Sequence, residues 1–321
     1  MRAIRVKTHG GPEVLQLEEI PAPTPAPGQV LVRIECAGVN FIDIYHRSGA
    51  YGGEVPFTAG VEAAGVVTAV GDGVAAVQPE QRVAYCMERG AYAEYAVVPV
   101  AKLVPLPADI DAATAATVLL QGLTAHFLSH STFALGPEHT AVVHAAAGGV
   151  GGLLVQMAKL RGSRVLATVS SPGKAALAIA TGADRVVQYE HDDFVAAVRD
   201  FTGGRGADVV YDAVGRATFE RSLQCLCRRG LLVLYGQASG AVPPVDPQTL
   251  NVMGSLFLTR PTLAHHMDEA ERRGRVTDLF GWIRSGALQL RLDARFRLEA
   301  AAEAHRRLES RASMGKILLE I

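Results

Sequence analysis

The sequence predicts an α/β fold in which a doubly wound parallel sheet follows a β-rich segment. Three observations carry the prediction. Residues 139–174, HTAVVHAAAGGVGGLLVQMAKLRGSRVLATVSSPGK, read as strand, glycine turn, helix and strand. Beyond Lys174, strand-like and helix-like segments keep alternating, the pattern of a parallel sheet with helices on its faces. Before about residue 120 the chain instead offers short strands at close spacing, divided by Gly and Pro turns.

In chain order, Met1–Val6 alternates, Gly10-Gly11-Pro12 turns, Val14–Glu18 alternates again, and the prolines from Pro21 to Pro27 form an exposed connection. Gln29–Cys36, Val61–Val70 and Tyr92–Val98 read as further strands, and Ala112–Leu120 as a helix. The strand His139–Ala147 is rich in Val and Ala, as suits burial on both faces. Val150, Leu153, Leu154, Met157 and Ala158 then fall on one helical face, Gly162 ends the helix, and Arg164–Val169 is the next strand. Helices are expected at Lys174–Thr181, Asp193–Thr202 and Thr218–Arg228, with strands at Arg185–Tyr189, Ala207–Ala213, Leu231–Tyr235 and Ser255–Leu258. From about Pro261 the composition changes to two helices, Leu263–Ser285 with a break and Glu299–Arg311, and a final strand Lys316–Ile321.

The turn Ala146–Gly151 spells A-x-G-x-x-G, the dinucleotide fingerprint with Ala in the first Gly place. Gly148 would let the backbone approach a pyrophosphate, Gly151 would let the helix sit close on its strand, and the helix N-terminus would offer N–H groups to phosphate. An NAD site sets Asp or Glu about 20 residues on, to accept from the ribose 2′-OH. Here Val169, Ser170 and Ser171 stand there without an acid, and Lys174 follows. Hydroxyls and an ammonium suit a 2′-phosphate, so the cofactor expected is NADPH. Taken singly, Ser171 and Lys174 read as a helix cap and a solvated first-turn cation.

The 321 residues suggest two domains with a sizeable core, 49% being hydrophobic and 20% charged. A formal net charge of −1 gives no overall field to recruit nucleic acid or an acidic membrane. No run approaches the roughly 18 apolar residues of a membrane span, and the start MRAIRVKTHGG has no signal-peptide core, so a cytoplasmic protein is expected. The four cysteines, Cys36, Cys86, Cys225 and Cys227, fit neither a disulfide framework nor a zinc ribbon and read as reduced core residues.

Several strings, in order over nearly the full chain, resemble one family. They are N-F-I-D at Asn40–Asp43, R-S-G at Arg47–Gly49, G-x-E-A-A-G at Gly60–Gly65, H-A-A-A-G-G-V-G at His144–Gly151, V-x-Y-D-x-V-G-R at Val209–Arg216, R-R-G-L at Arg228–Leu231, T-R-P at Thr259–Pro261 and E-S-R-A at Glu309–Ala312. Together they resemble the NADPH:quinone oxidoreductases, the ζ-crystallin-like branch of the medium-chain dehydrogenase/reductase superfamily. The resemblance implies a Rossmann sheet inserted in a GroES-like β-rich catalytic domain, with residues 1–122 and 262–321 forming the catalytic domain and 123–261 the NADPH-binding domain. It also implies a homodimer joined edge to edge, with Ser255–Leu258 as the edge strand.

Zinc-dependent members of the superfamily need a thiolate and an imidazole where this chain has Asn40 and Val61, and Glu62 alone cannot hold zinc. No metal is expected. Without those ligands a Lewis acid for alkoxide stabilisation is missing from the sequence, and reduction of an activated acceptor becomes the favoured chemistry. A quinone bound between the domains beside the nicotinamide would need mainly positioning. Hydrogen bonds to its developing oxyanion could come from Asn40, Tyr45 or Tyr51, with Thr124 close by. Asn40 reads equally well as the N-cap ahead of Phe41, and Tyr51 as a loop aromatic.

The resemblance assigns Asn40, Phe41, Ile44 and Thr124 to the nicotinamide end, and Gly149 and Val150 beside Gly148 and Gly151 to the pyrophosphate. It assigns Ser170, Ser171, Lys174 and Tyr189 to the 2′-phosphate. Gly236, Gln237, Ser239, Leu258, Thr259 and Arg260 line the far side. Ala125-His126-Phe127 departs from the family pattern, and His126 reads as a satisfied buried imidazole. The competing functions are an enone or alkenal reductase on the same scaffold and a non-catalytic NADPH-binding protein of crystallin or RNA-binding type.

Overall fold

The computed structural model describes all 321 residues. The chain runs through strands β1 (Arg2–Val6), β2 (Leu15–Glu19) and β3 (Gln29–Val39), helix α1 (Phe41–Arg47), then β4 (Phe57–Thr58), β5 (Glu62–Val70), β6 (Arg82–Cys86), β7 (Tyr95–Pro99) and β8 (Val104–Pro105). Helix α2 (Ala112–Phe127) leads to β9 (Thr140–Val143), α3 (Gly149–Leu160), β10 (Arg164–Val169), α4 (Pro172–Ala180), β11 (Arg185–Gln188), α5 (Phe194–Phe201) and β12 (Ala207–Asp212). Then come α6 (Phe219–Gln224), β13 (Leu226–Leu234), α7 (Pro247–Val252), β14 (Phe257–Thr259) and α8 (Glu269–Arg284), and finally β15 (Leu292–Arg297), α9 (Ala301–Glu309) and β16 (Lys316–Glu320). Two compact units result, residues 1–120 with 290–321 and residues 121–289.

The first unit is built on β3. Its alternation buries Val30, Val32 and Ile34 while Arg33 points out, and its length lets it pair antiparallel with β5, β7 and β16. At Gly65 the two backbones of β3 and β5 cross so closely that a Cβ would lie 2.0 Å from the Arg33 carbonyl oxygen. The sheet order is β15-β16-β3-β5-β6-β8, and a smaller sheet, β2-β1-β4, packs into the same apolar core. Helix α9 closes that core with Ala301, Ala304, His305 and Leu308, spaced i, i+3, i+4 and i+7.

The second unit is a six-stranded parallel sheet in the order β11-β10-β9-β12-β13-β14. Counted within the sheet this is 3-2-1-4-5-6, the doubly wound arrangement whose strand order reverses at the first strand. The reversal puts the carboxyl ends of β9, β10 and β12 around one crevice. Strand β14 lies at the edge, as expected for Ser255–Leu258.

Several sequence expectations move, and the helix expected over Ala112–Leu120 runs on to Phe127. The strand expected over His139–Ala147 stops at Val143, because Ala145 takes a positive φ of 53° and turns the chain into α3. The helix expected over Thr218–Arg228 ends at Gln224, and the Leu226–Gly230 stretch joins β13, pairing Leu226 with Ala207. The compact second unit runs on to Gln289, past the Pro261 at which the composition changes. The cause is α8, whose Arg275 donates to His126 Nδ1 at 3.1 Å and whose Asp278 accepts from His126 Nε2 at 3.0 Å, fastening it to the end of α2.

Candidate active site

In the first unit the site grows from the junction of β3 and α1. Asn40 caps α1, and its backbone N–H donates to Asp43 Oδ2 at 2.8 Å. Its side-chain amide donates to Gly38 O at 3.2 Å and to Glu62 Oε2 at 2.8 Å, while its Oδ1 accepts from Lys316 Nζ at 2.8 Å. Lys316 also donates to Glu62 Oε2 at 2.5 Å, and Glu62 Oε1 accepts from Leu120 N at 2.7 Å. Glu62 is 0%, Lys316 1% and Asn40 4% exposed, so this is a closed ionic cluster. Both amide hydrogens of Asn40 are spent within it, which leaves the residue to orient its neighbours rather than to donate to an oxyanion.

The cluster continues inward. Tyr92 donates from its hydroxyl to Asp43 Oδ2 at 3.1 Å, His305 Nε2 meets that hydroxyl at 3.2 Å, and Arg47 Nη1 donates to His305 Nδ1 at 3.1 Å. Burial drives the Asp43 carboxyl up to about 7 despite its hydrogen bonds, and its Oδ1 has no partner. Burial, reinforced by Arg47, drives His305 down to about 3, so the imidazole is neutral and accepts from the guanidinium.

Zinc would find no home here. Val61 is apolar and buried, the Glu62 carboxylate is held by the Lys316 ammonium, and no group of three His, Cys, Asp or Glu side chains converges anywhere in the chain.

Helix α1 presents an aromatic group outside this cluster. Tyr45 and Tyr51 have ring centroids 4.9 Å apart, and Phe41 lies 6.2 Å from Tyr45. Tyr51 is 46% exposed. Ile44 is buried among core residues of the first unit, and its burial there explains its apolar character without a cofactor.

In the second unit the glycine turn behaves as its spacing predicts, with one addition. A Cβ on Gly151 would lie 2.3 Å from Ala145 O, so this glycine seats α3 against the turn. A Cβ on Gly148 would meet only Ala145 O, at 3.2 Å, which leaves that backbone open to a ligand. A Cβ on Gly149 would fall 1.9 Å from Oε1 of Gln121, a residue that sequence reasoning missed, so any side chain there would displace the Gln121 amide. Thr124, one helical turn beyond Gln121 on α2, lies on the same face and is half-buried. The N–H groups of Gly149, Val150 and Gly151 open α3 and have no intrahelical acceptor.

At the end of β10, Ser171 caps α4 by accepting from Lys174 N at 3.4 Å, and Lys174 Nζ donates to Ser170 Oγ at 3.0 Å. Cap and cation therefore coexist at one strand end. Tyr189 joins them because its N–H donates to Val169 O at 3.2 Å. Across the crevice, Ser239 Oγ donates to Val214 O at 2.7 Å and accepts from Ala217 N at 3.0 Å, clamping the loop after β12. Gly236 passes so near Ala213 that a Cβ would sit 2.6 Å from its carbonyl oxygen, and Gln237 follows in that loop. Arg260, just after Leu258 and Thr259 of β14, donates to Leu234 O at 3.0 Å. All of these stand at the carboxyl ends of the parallel strands, where open α/β sheets bind ligands.

His126 is satisfied by Arg275 and Asp278 and stacks on His130 at 4.1 Å. Burial, only partly offset by Asp278, holds it below its ordinary value. It is a structural imidazole.

Fold and site together define a medium-chain dehydrogenase/reductase, a two-unit oxidoreductase with a dinucleotide-type sheet. Residues 26–108 match the alcohol dehydrogenase GroES-like domain and residues 149–272 the zinc-binding dehydrogenase domain. The quinone oxidoreductase of Pseudomonas aeruginosa is 43% identical over 99% of each chain, and a 2-haloacrylate reductase of a Burkholderia species is 40% identical over 97% of this chain and 96% of its own. The Escherichia coli quinone oxidoreductase crystallised with NADPH superposes with a TM-score of 0.98 at 40% identity, covering 100% of both chains. The chain belongs to the quinone oxidoreductase family.

Proposed function

We propose that this protein reduces quinones with NADPH and without zinc. The observation that carries the cofactor choice is the Lys174 to Ser170 contact at the end of β10, where an NAD site would set a carboxylate. The E. coli relative crystallised with NADPH and the P. aeruginosa relative named for quinones support the same reading.

NADPH, when bound, supplies the hydride. Gly148 leaves room for its pyrophosphate to approach, and Gly149, Val150 and Gly151 receive it on the N–H groups that open α3. Ser170, Ser171, Lys174 and Tyr189 hold the 2′-phosphate. For the nicotinamide end the second unit offers Thr124, and the first unit offers Phe41 and Asn40, the latter through its backbone and its ordering of α1. Gln237 and Arg260, with Gly236, Ser239, Leu258 and Thr259, form the far wall. The acceptor stacks on Tyr45 and Tyr51, whose hydroxyls donate to the oxygen that gains charge.

The exposed edge β14, with Phe257 56% and nearby Val252 76% exposed, supports a homodimer through that edge. Four cysteines that form no disulfide support a reducing compartment, the cytoplasm. No helix is long and apolar enough to cross a membrane.

A second reading, reduction of an electron-poor carbon–carbon double bond, is favoured by the 2-haloacrylate reductase relative. The test follows NADPH absorbance with 1,4-benzoquinone, 9,10-phenanthrenequinone and 2-cyclohexen-1-one, repeated with NADH and with a chelator. Rapid, chelator-indifferent quinone turnover preferring NADPH supports the first reading. Turnover of the enone alone supports the second, and oxidation of neither class sinks both.

A further inference from the structure

We propose that Arg89 forms a carboxylate subsite beside the Tyr45 and Tyr51 pair, so that the preferred acceptors carry a carboxylate next to the group that is reduced. This rests on the reading that the acceptor stacks on those tyrosines.

Arg89 lies in the turn after β6, which is pinned when Gly90 N and Ala91 N both donate to Gly60 O, at 3.0 and 3.2 Å. Its guanidinium stands 5.2 Å over the Phe57 ring and donates from Nη2 to His46 Nδ1 at 3.1 Å. His46 follows Tyr45 on α1, and its ring meets Tyr51 edge-on at 6.0 Å. A substituted aromatic ring on Tyr51 therefore has the cation one side chain away. On the other side, the Gly53 backbone comes so near that a Cβ there would lie 3.0 Å from Nη2.

The charge is not neutralised inside the protein. Glu88, next to Arg89 in sequence, pairs with Lys102 at 2.5 Å, and no carboxylate bonds to Arg89. Its one side-chain partner is an imidazole whose own value is pushed down to about 4 by burial and by Arg89 itself, so His46 is an acceptor without charge. An exposed arginine is thus held by a ring face and a neutral nitrogen, with no carboxylate bonded to it. Most of the rotamer ordering that a carboxylate would otherwise impose has been met in advance.

Charge-assisted fork contacts of this kind discriminate strongly against uncharged isosteres. The experiment uses the full chain with NADPH and two acceptors, 1,4-benzoquinone carrying a ring carboxylate and its methyl ester, with Arg89→Met and Arg89→Lys beside the parent. The carboxylate-to-ester ratio of kcat/KM is expected to fall about tenfold or more in Arg89→Met, mainly through KM, and to be partly restored in Arg89→Lys. An unchanged ratio in both variants overturns the subsite. Should the parent reduce neither acceptor, the functional reading fails, and calorimetry with benzoate against methyl benzoate decides the subsite alone. Benzoate binding weakened about tenfold in Arg89→Met upholds it, and equal binding overturns it.

Discussion

Lys316 donates to Glu62 across 2.5 Å with both side chains sealed from solvent, and the two come from β16 and β5 of the same sheet. Space for the contact exists because residue 38 has no side chain: a Cβ on Gly38 would lie 2.2 Å from Glu62 Oε2 and 2.7 Å from Lys316 Nζ. Removing one member of such a pair strands the other charge in a medium that cannot solvate it.

Lys316→Met is accordingly expected to cost about 3–5 kcal/mol in denaturant unfolding, and the double change with Glu62→Gln to recover much of that loss. Equal destabilisation by the single and double variants would show that the pair is not coupled.

Asp43 sets a pH dependence of stability. Its folded value is raised to about 7 from an ordinary 3.8, so the protonated acid is the form the fold prefers. Its contribution is full below 3.8 and is lost as pH rises through about 7. Measured against Asp43→Asn, the parent should lose stability steadily over that window. A difference that does not vary with pH would contradict the assignment.

The glycines of the turn separate folding from binding. Gly148→Ala should melt within a few degrees of the parent while NADPH affinity drops about tenfold or more, because the added methyl has one tight contact, 3.2 Å from Ala145 O, and otherwise projects to the ligand side. Gly151→Ala should lower the melting temperature itself, since its Cβ would strike the Ala145 carbonyl, which belongs to the backbone. Calorimetry and a thermal scan distinguish the two.

Lys174→Ala should reduce kcat/KM for NADPH by roughly tenfold to a hundredfold and change that for NADH by less than about twofold. Equal losses for both cofactors would place Lys174 away from the 2′-phosphate.

The parallel sheet was legible because its signals are local: buried runs of Val and Ala, glycine turns, and a 3.6-residue period all lie within about thirty residues. Arg164–Val169 matches its expected bounds for that reason. Asn40 was legible as a cap from its neighbours. That its Oδ1 accepts from Lys316, 276 positions away, was not, because Lys316 reads only as the first residue of an apolar strand. Gln121 under Gly149 escaped for the same reason, since a steric need is visible only once two elements touch. Strand β15, LDARFR, is too polar to announce itself and is half-exposed at its sheet edge. Nothing in the sequence around Arg89 sets it apart, since the Phe57 ring and His46 imidazole beside it come from distant segments.

Strand β3 pairs on one side with β5 and on the other with β16, matching Val39 with Ile317. During synthesis on the ribosome this separates the two units in time. All residues of the parallel sheet have been made by Gln289, whereas the first unit still lacks β15, α9 and β16. The amino-terminal half of that unit therefore emerges first yet finishes last, with one flank of β3 and the carboxylate of Glu62 waiting for the final strand. A nascent chain stalled before Lys316 should thus expose an unfinished sheet edge to chaperones while its neighbouring unit is already native.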